Sequence, residues 1–234
     1  MEKQKDNFKT IKQVIPQVKK QTYRQAIVKL NGQSKNIEQS ISDIALNYNR
    51  DYEWTHEIIK VHEDLANYFY GIKHSLDLDK GIALMGVYGV GKSTIFNIWH
   101  DHLRFNHPFC DNLFINASLE EILDDISEHG YINRKFVNNV TETSCGSKNI
   151  NPRHILINEF GQRYDIKTYG TDINQLFESF MMKRYDIFQQ RKKLTHITTN
   201  FGADELENLF HPKLIDRFKE MFNIIELKGE SFRK

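Results

Sequence analysis

Cysteine is almost missing from this 234-residue chain: Cys110 and Cys145 stand alone, with no C-x-x-C pair. That excludes a disulfide framework and a thiolate zinc site, and it fits a reducing compartment. Long apolar runs are missing too, and Met1 to Thr10 is too polar to open a signal peptide, so a cytoplasmic protein is expected. Charge of one sign is not in excess. The 32 Lys and Arg face 31 Asp and Glu, which gives nucleic-acid binding no support from net charge. No internal repeat is visible. What remains, 39% hydrophobic and 27% charged residues, suits a globular chain with a proper core.

The most informative stretch is Gly86-Val87-Tyr88-Gly89-Val90-Gly91-Lys92-Ser93, which fits G-x-x-x-x-G-K-[ST]. Glycines let the backbone turn tightly and aim successive N–H groups at an anion. Lys92 reaches the β- and γ-phosphates of a nucleotide, and the Ser93 hydroxyl is a magnesium ligand. The binding set is Gly86, Gly89, Val90, Gly91, Lys92, Ser93 and Thr94. Context agrees with the motif. Gly81 to Met85 reads as a buried strand before the loop, and Ile95, Phe96, Ile98 and Trp99 keep helical spacing after it.

The rest of the chain alternates in the same way. Residues 1 to about 45 read as a basic arm, with nine lysines and arginines against three acids before residue 40. Its short amphipathic helices suit docking on a partner or on nucleic acid, or equally a solvated hairpin packed on its own domain. Ile37, Ile41, Ile44 and Tyr48 form the second of these helices. From residue 46 to 234 we expect one nucleotide-binding domain. Thr55 caps a helix that buries Ile58, Val61, Leu65 and Tyr68 and ends at Gly71. Further strands are expected at Asn112 to Ala117, His154 to Glu159, Leu194 to Thr199 and Phe222 to Leu227. Ser118 and Thr171 or Asp172 open helices between them, and Pro212 suits the first position of the last helix. Strands alternating with helices imply a parallel α/β sheet with ligands at the carboxyl ends of its strands.

Four residues are candidates for the groups a nucleotide hydrolase needs beyond its phosphate cradle. Glu159, at the end of the third strand, is placed as the water-activating base. Asn158 occupies the position where an aspartate would hold the magnesium shell, and a neutral amide binds the ion less strongly. Asn200, just past the fourth strand, suits a hydrogen bond to the γ-phosphate or the attacking water. Taken alone Arg217 reads as a surface arginine, and it becomes an arginine finger if assembly brings it to a neighbour's nucleotide. Arg184 falls inside the apolar stripe of Ile173, Phe177, Phe180 and Phe188, where a charge either finds a partner or an interface or, the reading we favour, packs its stem while its head reaches water. His100 and His102 point in different directions on their helix and are expected at the surface.

Gly86 to Ser93, Ile155 to Gly161, Thr198-Thr199-Asn200, Asp216-Arg217-Phe218 and the ending Gly229-Glu230-Ser231-Phe232-Arg233 together resemble the AAA+ ATPases of the DnaC-type helicase loaders. The related IstB-type transposition helpers share most of these signatures. The resemblance covers roughly residues 50 to 234. It implies a P-loop NTPase of three α/β/α layers around a five-stranded parallel sheet in the order 5-1-4-3-2, with no C-terminal lid domain. It also implies a Walker B role for Asn158 and Glu159, with Asn200 as sensor 1 and Arg217 as the finger. Lys92, Glu159, Asn200 and Arg217 would then carry catalysis, and Ser93 and Asn158 the metal. ATP and Mg²⁺ are the implied cofactors. The implied partners are a hexameric replicative helicase gripped by the arm, single-stranded DNA near Arg134 and Lys135, and further copies of the chain sharing the ATP site. The alternatives are an IstB-like transposition helper and a non-hydrolysing nucleotide-binding adaptor.

Overall fold

Five short apolar runs pair side by side into one parallel sheet. The structure is a computed structural model, and it describes residues 37–70, 76–106, 113–129, 136, 140–142, 148–150, 153–161, 167–168 and 171–232. The chain begins with α1 (Ile37–Tyr48), α2 (His56–Phe69), β1 (Gly81–Met85) and α3 (Lys92–Asn106). Then come β2 (Phe114–Ser118), α4 (Leu119–His129), β3 (Val140–Glu142), β4 (Lys148–Ile150) and β5 (His154–Phe160). The remainder is β6 (Lys167–Thr168), β7 (Thr171–Asp172), α5 (Ile173–Arg191), β8 (Thr195–Thr199), α6 (Ala203–Leu209), α7 (Pro212–Met221) and β9 (Phe222–Glu226). The basic arm up to residue 36, Gly71, both cysteines, and Arg134 and Lys135 lie outside the described residues. Among those described, no helix is long and apolar enough to cross a membrane.

The sheet order is β2-β5-β8-β1-β9, which is the expected 5-1-4-3-2 read from the other edge. Every residue of β1 and β8 is buried, as central strands require when both faces are covered. Two small antiparallel hairpins, β3-β4 and β6-β7, stand apart from it. Local signals place several boundaries correctly. The Thr55 hydroxyl accepts from the Ile58 N–H at 3.3 Å and starts α2. Ser118 accepts from the Glu121 N–H at 3.0 Å while the Glu121 carboxylate accepts from the Ser118 N–H at 2.8 Å, a reciprocal cap for α4. Asp172 caps α5 and Pro212 opens α7.

The contacts divide the chain into two units. The first draws on Met1–Leu76, Gly89–Asn112 and Leu227–Lys234. In it α1 packs on α3, and the buried His102 of α3 finds partners. His102 is 2% exposed, against the surface position expected for it. Its ring bonds the Tyr70 hydroxyl at 2.8 Å and the Ser40 hydroxyl at 2.8 Å, partners remote in sequence. The Trp99 indole donates to His62 Nδ1 at 3.0 Å. That leaves the His62 proton on Nε2, facing the Tyr52 hydroxyl at 3.1 Å.

The second unit, Asp77–Tyr88 with Leu113–Glu226, holds the sheet. The Asn223 side chain ties its entry, donating to the Asp77 carbonyl at 2.8 Å and accepting from the Asp77 N–H at 2.8 Å. Phe160 packs against the rings of Phe177, Phe210 and Phe218. Arg184 takes the less favoured of its two expected states: its head does not reach water, for the residue is 0% exposed, and it finds partners instead. Its guanidinium donates to the carbonyls of Leu194 at 2.9 Å, Arg153 at 3.1 Å and Phe136 at 3.4 Å, and to the Thr195 hydroxyl at 3.1 Å. Burial lowers its pKa to about 9, so it stays a cation at neutral pH. A buried charge surrounded by backbone acceptors joins α5, β8 and the start of β5.

Burial also lowers the pKa of His62 and of His196 to about 3 from an ordinary 6.5. Both are neutral in the fold, while the unfolded chain takes up a proton below pH 6.5, so acid favours unfolding. The urea midpoint should hold above about pH 6.5 and fall steadily toward about pH 3. His62→Gln should flatten that decline.

Candidate nucleotide-binding site

The end of β8 organises this site. Thr199 pairs with Met85 on one side and with Phe160 on the other. Its carbonyl accepts from the Gly86 N–H at 3.2 Å, and its hydroxyl donates to the Phe160 carbonyl at 2.7 Å. Gly86, where the phosphate loop begins, therefore stands beside the strand ends that carry Glu159 and Asn200. Asn200 follows β8 and is half-buried.

Beyond Gly86 the loop shows why its sequence is glycine-rich. Gly89 has φ 80° and Gly91 φ 92°, a left-handed region that side chains disfavour. Between and after them Val90 and Lys92 are buried, while Ser93 and Thr94 are half-buried in the first turn of α3. The Gly91 carbonyl accepts from the Ile95 N–H at 2.9 Å, so the earlier N–H groups of this turn lie ahead of the helical ladder. The Gly89 carbonyl accepts from the Phe232 N–H at 3.1 Å. The closing segment is thus pinned to the loop.

Asn158 and Glu159 sit at an irregularity. The pairing of β5 with β8 shifts register between Ile157 and Phe160, and Glu159 takes φ 59° within that bulge. Its N–H donates to the Thr198 hydroxyl at 3.2 Å. The same hydroxyl donates to Asn158 Oδ1 at 3.0 Å, and Asn158 Nδ2 donates to Asn116 Oδ1 at 2.6 Å. A chain of neutral polar groups thus crosses β2, β5 and β8. Sequence reasoning does not single out Asn116 and Thr198 as partners of Asn158. Their signal is only that of polar residues near the ends of strands that the sheet order makes neighbours.

That network bears on magnesium. Among the described residues no group of three or more His, Cys, Asp or Glu is arranged to hold a metal ion. Ser93 and Asn158 offer neutral oxygens alone, and the Asn158 amide is engaged at both ends. A neutral amide engaged in this way binds magnesium less strongly than a carboxylate, so Asn158 fits an ion carried chiefly by nucleotide phosphates.

Arg217 lies on α7, with a side chain 28% exposed. It pairs with Asp216 at 3.1 Å and Glu220 at 3.5 Å, and its guanidinium lies over the Tyr185 ring at 4.7 Å.

No protein-family model and no curated protein sequence matches this chain. Solved structures do match. The DnaC helicase loader aligns at TM-score 0.54 and 16% identity, over 79% of this chain and 98% of that one. DnaI aligns at 0.52 and 14%, over 75% of this chain and 84% of that one. AMPPCP-bound DnaA from Aquifex aeolicus aligns at 0.53 and 12%, over 76% of this chain and 49% of that one.

The fold is AAA+.

The AAA+ sheet order is what brings Gly86, Glu159 and Asn200 to one edge from three separate parts of the chain. Left-handed backbone at a residue with a side chain is strained. Glu159→Gly should therefore raise the stability of the chain by about 1 kcal/mol in urea unfolding, even as the carboxylate is lost. An unchanged or lower stability would show that the bulge carries no strain.

Proposed function

We propose that the chain is an ATP-switched loader that binds a hexameric replicative helicase and helps place it on single-stranded DNA in the cytoplasm. One observation carries the reading: the phosphate loop starts beside strand ends bearing a carboxylate, Glu159, and a polar sensor candidate, Asn200. The likeness of the fold to the DnaC helicase loader and to DnaI supports it.

In this reading the N–H groups from Gly89 to Thr94 hold the phosphates, and Lys92 offsets charge on the β- and γ-groups. The Ser93 hydroxyl would hold magnesium bound with the nucleotide, and the ion would supply further charge neutralisation at the phosphates. Glu159 holds a water in line and accepts its proton. Asn200 bonds the γ-phosphate and so reports whether it is present. Arg217 reaches the nucleotide of a neighbouring copy, which makes assembly depend on ATP. The arm up to about residue 45 docks on the helicase, and the stretch with Arg134 and Lys135 faces DNA.

Asn158 sets the tempo. A carboxylate at this position would add negative charge facing the metal shell, whereas the amide adds none and is held by Thr198 and Asn116. Nucleotide is held well and cleaved slowly. The same network favours a second reading, a non-hydrolysing nucleotide-dependent adaptor.

A tagged chain should retain a helicase from host lysate in ATP and release it in ADP. Absence of a helicase in both conditions would end the loader reading and leave the nucleotide site standing. Asn158→Asp should raise ATP turnover roughly tenfold and lower the magnesium needed for half-maximal rate. Parent turnover equal to that of Lys92→Ala, even with DNA and partner present, decides for the adaptor.

A further inference from the structure

Arg217 does not stand alone on α7. Its guanidinium carbon lies 4.7 Å from the centre of the Tyr185 ring, on the neighbouring helix α5. The Tyr185 hydroxyl donates to Glu220 Oε2 at 2.8 Å. Gln189, one turn along α5, donates to that same oxygen at 3.0 Å and to the Tyr185 hydroxyl at 3.1 Å. Glu220 Oε1 in turn faces Arg217 Nη1 at 3.5 Å. The ring is fixed at its tip, and the cation rests on its face.

The arrangement has two readings, and magnitudes separate them. The ion pairs of Arg217 would form a latch if they were strong enough to withhold it. Their acidic partners are open to water: the side chain of Asp216 is 70% exposed and that of Glu220 46%. Exposed pairs of this kind contribute little, and a phosphate group offers an arginine a stronger, two-pronged contact. The pairs with Asp216 and Glu220 therefore yield easily. The aromatic face is different, because it constrains where the guanidinium plane lies without consuming its donors. Arg217 Nε makes no hydrogen bond among the described residues.

We propose that Tyr185, held by Glu220 and Gln189, is a positioning residue that presents Arg217 to the nucleotide of a neighbouring copy. This rests on the reading of Arg217 as a residue acting in trans.

The test uses the full chain and protomer mixing. Tyr185→Leu should lower turnover about threefold, with the affinity of its own site for a fluorescent ATP analogue unchanged. Tyr185→Phe, which keeps the ring, should retain most of the activity. Excess Lys92→Ala protomers, which bring an intact Tyr185 and Arg217 but no working site, should restore turnover to Tyr185→Leu and to Arg217→Ala. Protomers carrying both Lys92→Ala and Tyr185→Leu should restore it less well. A Tyr185→Leu variant as active as the parent, beside an impaired and rescuable Arg217→Ala, overturns the positioning role alone. The positioning role falls equally if Tyr185→Leu is impaired but not rescued, since a misfolded subunit would behave that way. An Arg217→Ala variant that is unimpaired, or impaired and not rescued, overturns the trans reading and this inference with it. If parent turnover equals that of Lys92→Ala, the same ranking is read from the protein concentration at half-maximal ATP-driven self-association, and absence of such association overturns both.

Discussion

Two adjacent threonines at the end of β8 hold the functional edge of the sheet together. Thr199 bonds Gly86 through its carbonyl and Phe160 through its hydroxyl, and its hydroxyl also accepts from the Phe201 N–H at 3.1 Å. Thr198 bonds the Glu159 N–H and the Asn158 amide. A hydroxyl that both donates and accepts can bridge two strands where a simple ladder bond serves one pair. The bulge at Asn158 and Glu159 breaks the regular pairing, and these side-chain bonds replace what the ladder loses. Without them the left-handed Glu159 would have little reason to persist.

Much of this is legible in the sequence because it is local. Five short apolar runs announce five strands, and Thr55, Ser118, Asp172 and Pro212 announce helix starts by chemistry confined to three or four residues. The strand order is not local, and it comes from the resemblance of several motifs taken together. Boundaries move slightly where flanking residues compete: the second strand, expected from Asn112 to Ala117, runs Phe114–Ser118. The failures share a cause. His102 is expected at the surface because its neighbours along the helix say nothing of Tyr70 and Ser40. Arg184 falls on the apolar stripe as its spacing requires, yet the carbonyls that bind it come from three distant segments. Its helical position is readable, but its acceptors are not.

The candidate site divides along the same line. Residue types and spacing pick out the phosphate loop and Glu159, while Asn200 and Arg217 take their roles from the resemblance. Nothing in the spacing reveals that Asn158 is bound at both ends, or that Arg217 rests on Tyr185. Such contacts depend on which strands and helices become neighbours. A buried polar group needs a partner, but the need does not name one. In the neutral chain from Asn116 to Thr198 only Asn158 is marked out for its chemistry by its own strand, and the bonding belongs to the row.

The bond between the Phe232 N–H and the Gly89 carbonyl has a practical meaning. Gly89 belongs to the candidate phosphate loop, so an amide bonded to it would report any change of that loop directly. Phe232 is then a natural observation point: its amide exchange rate, or a resonance from its partly exposed ring, would register a change in the loop on adding nucleotide.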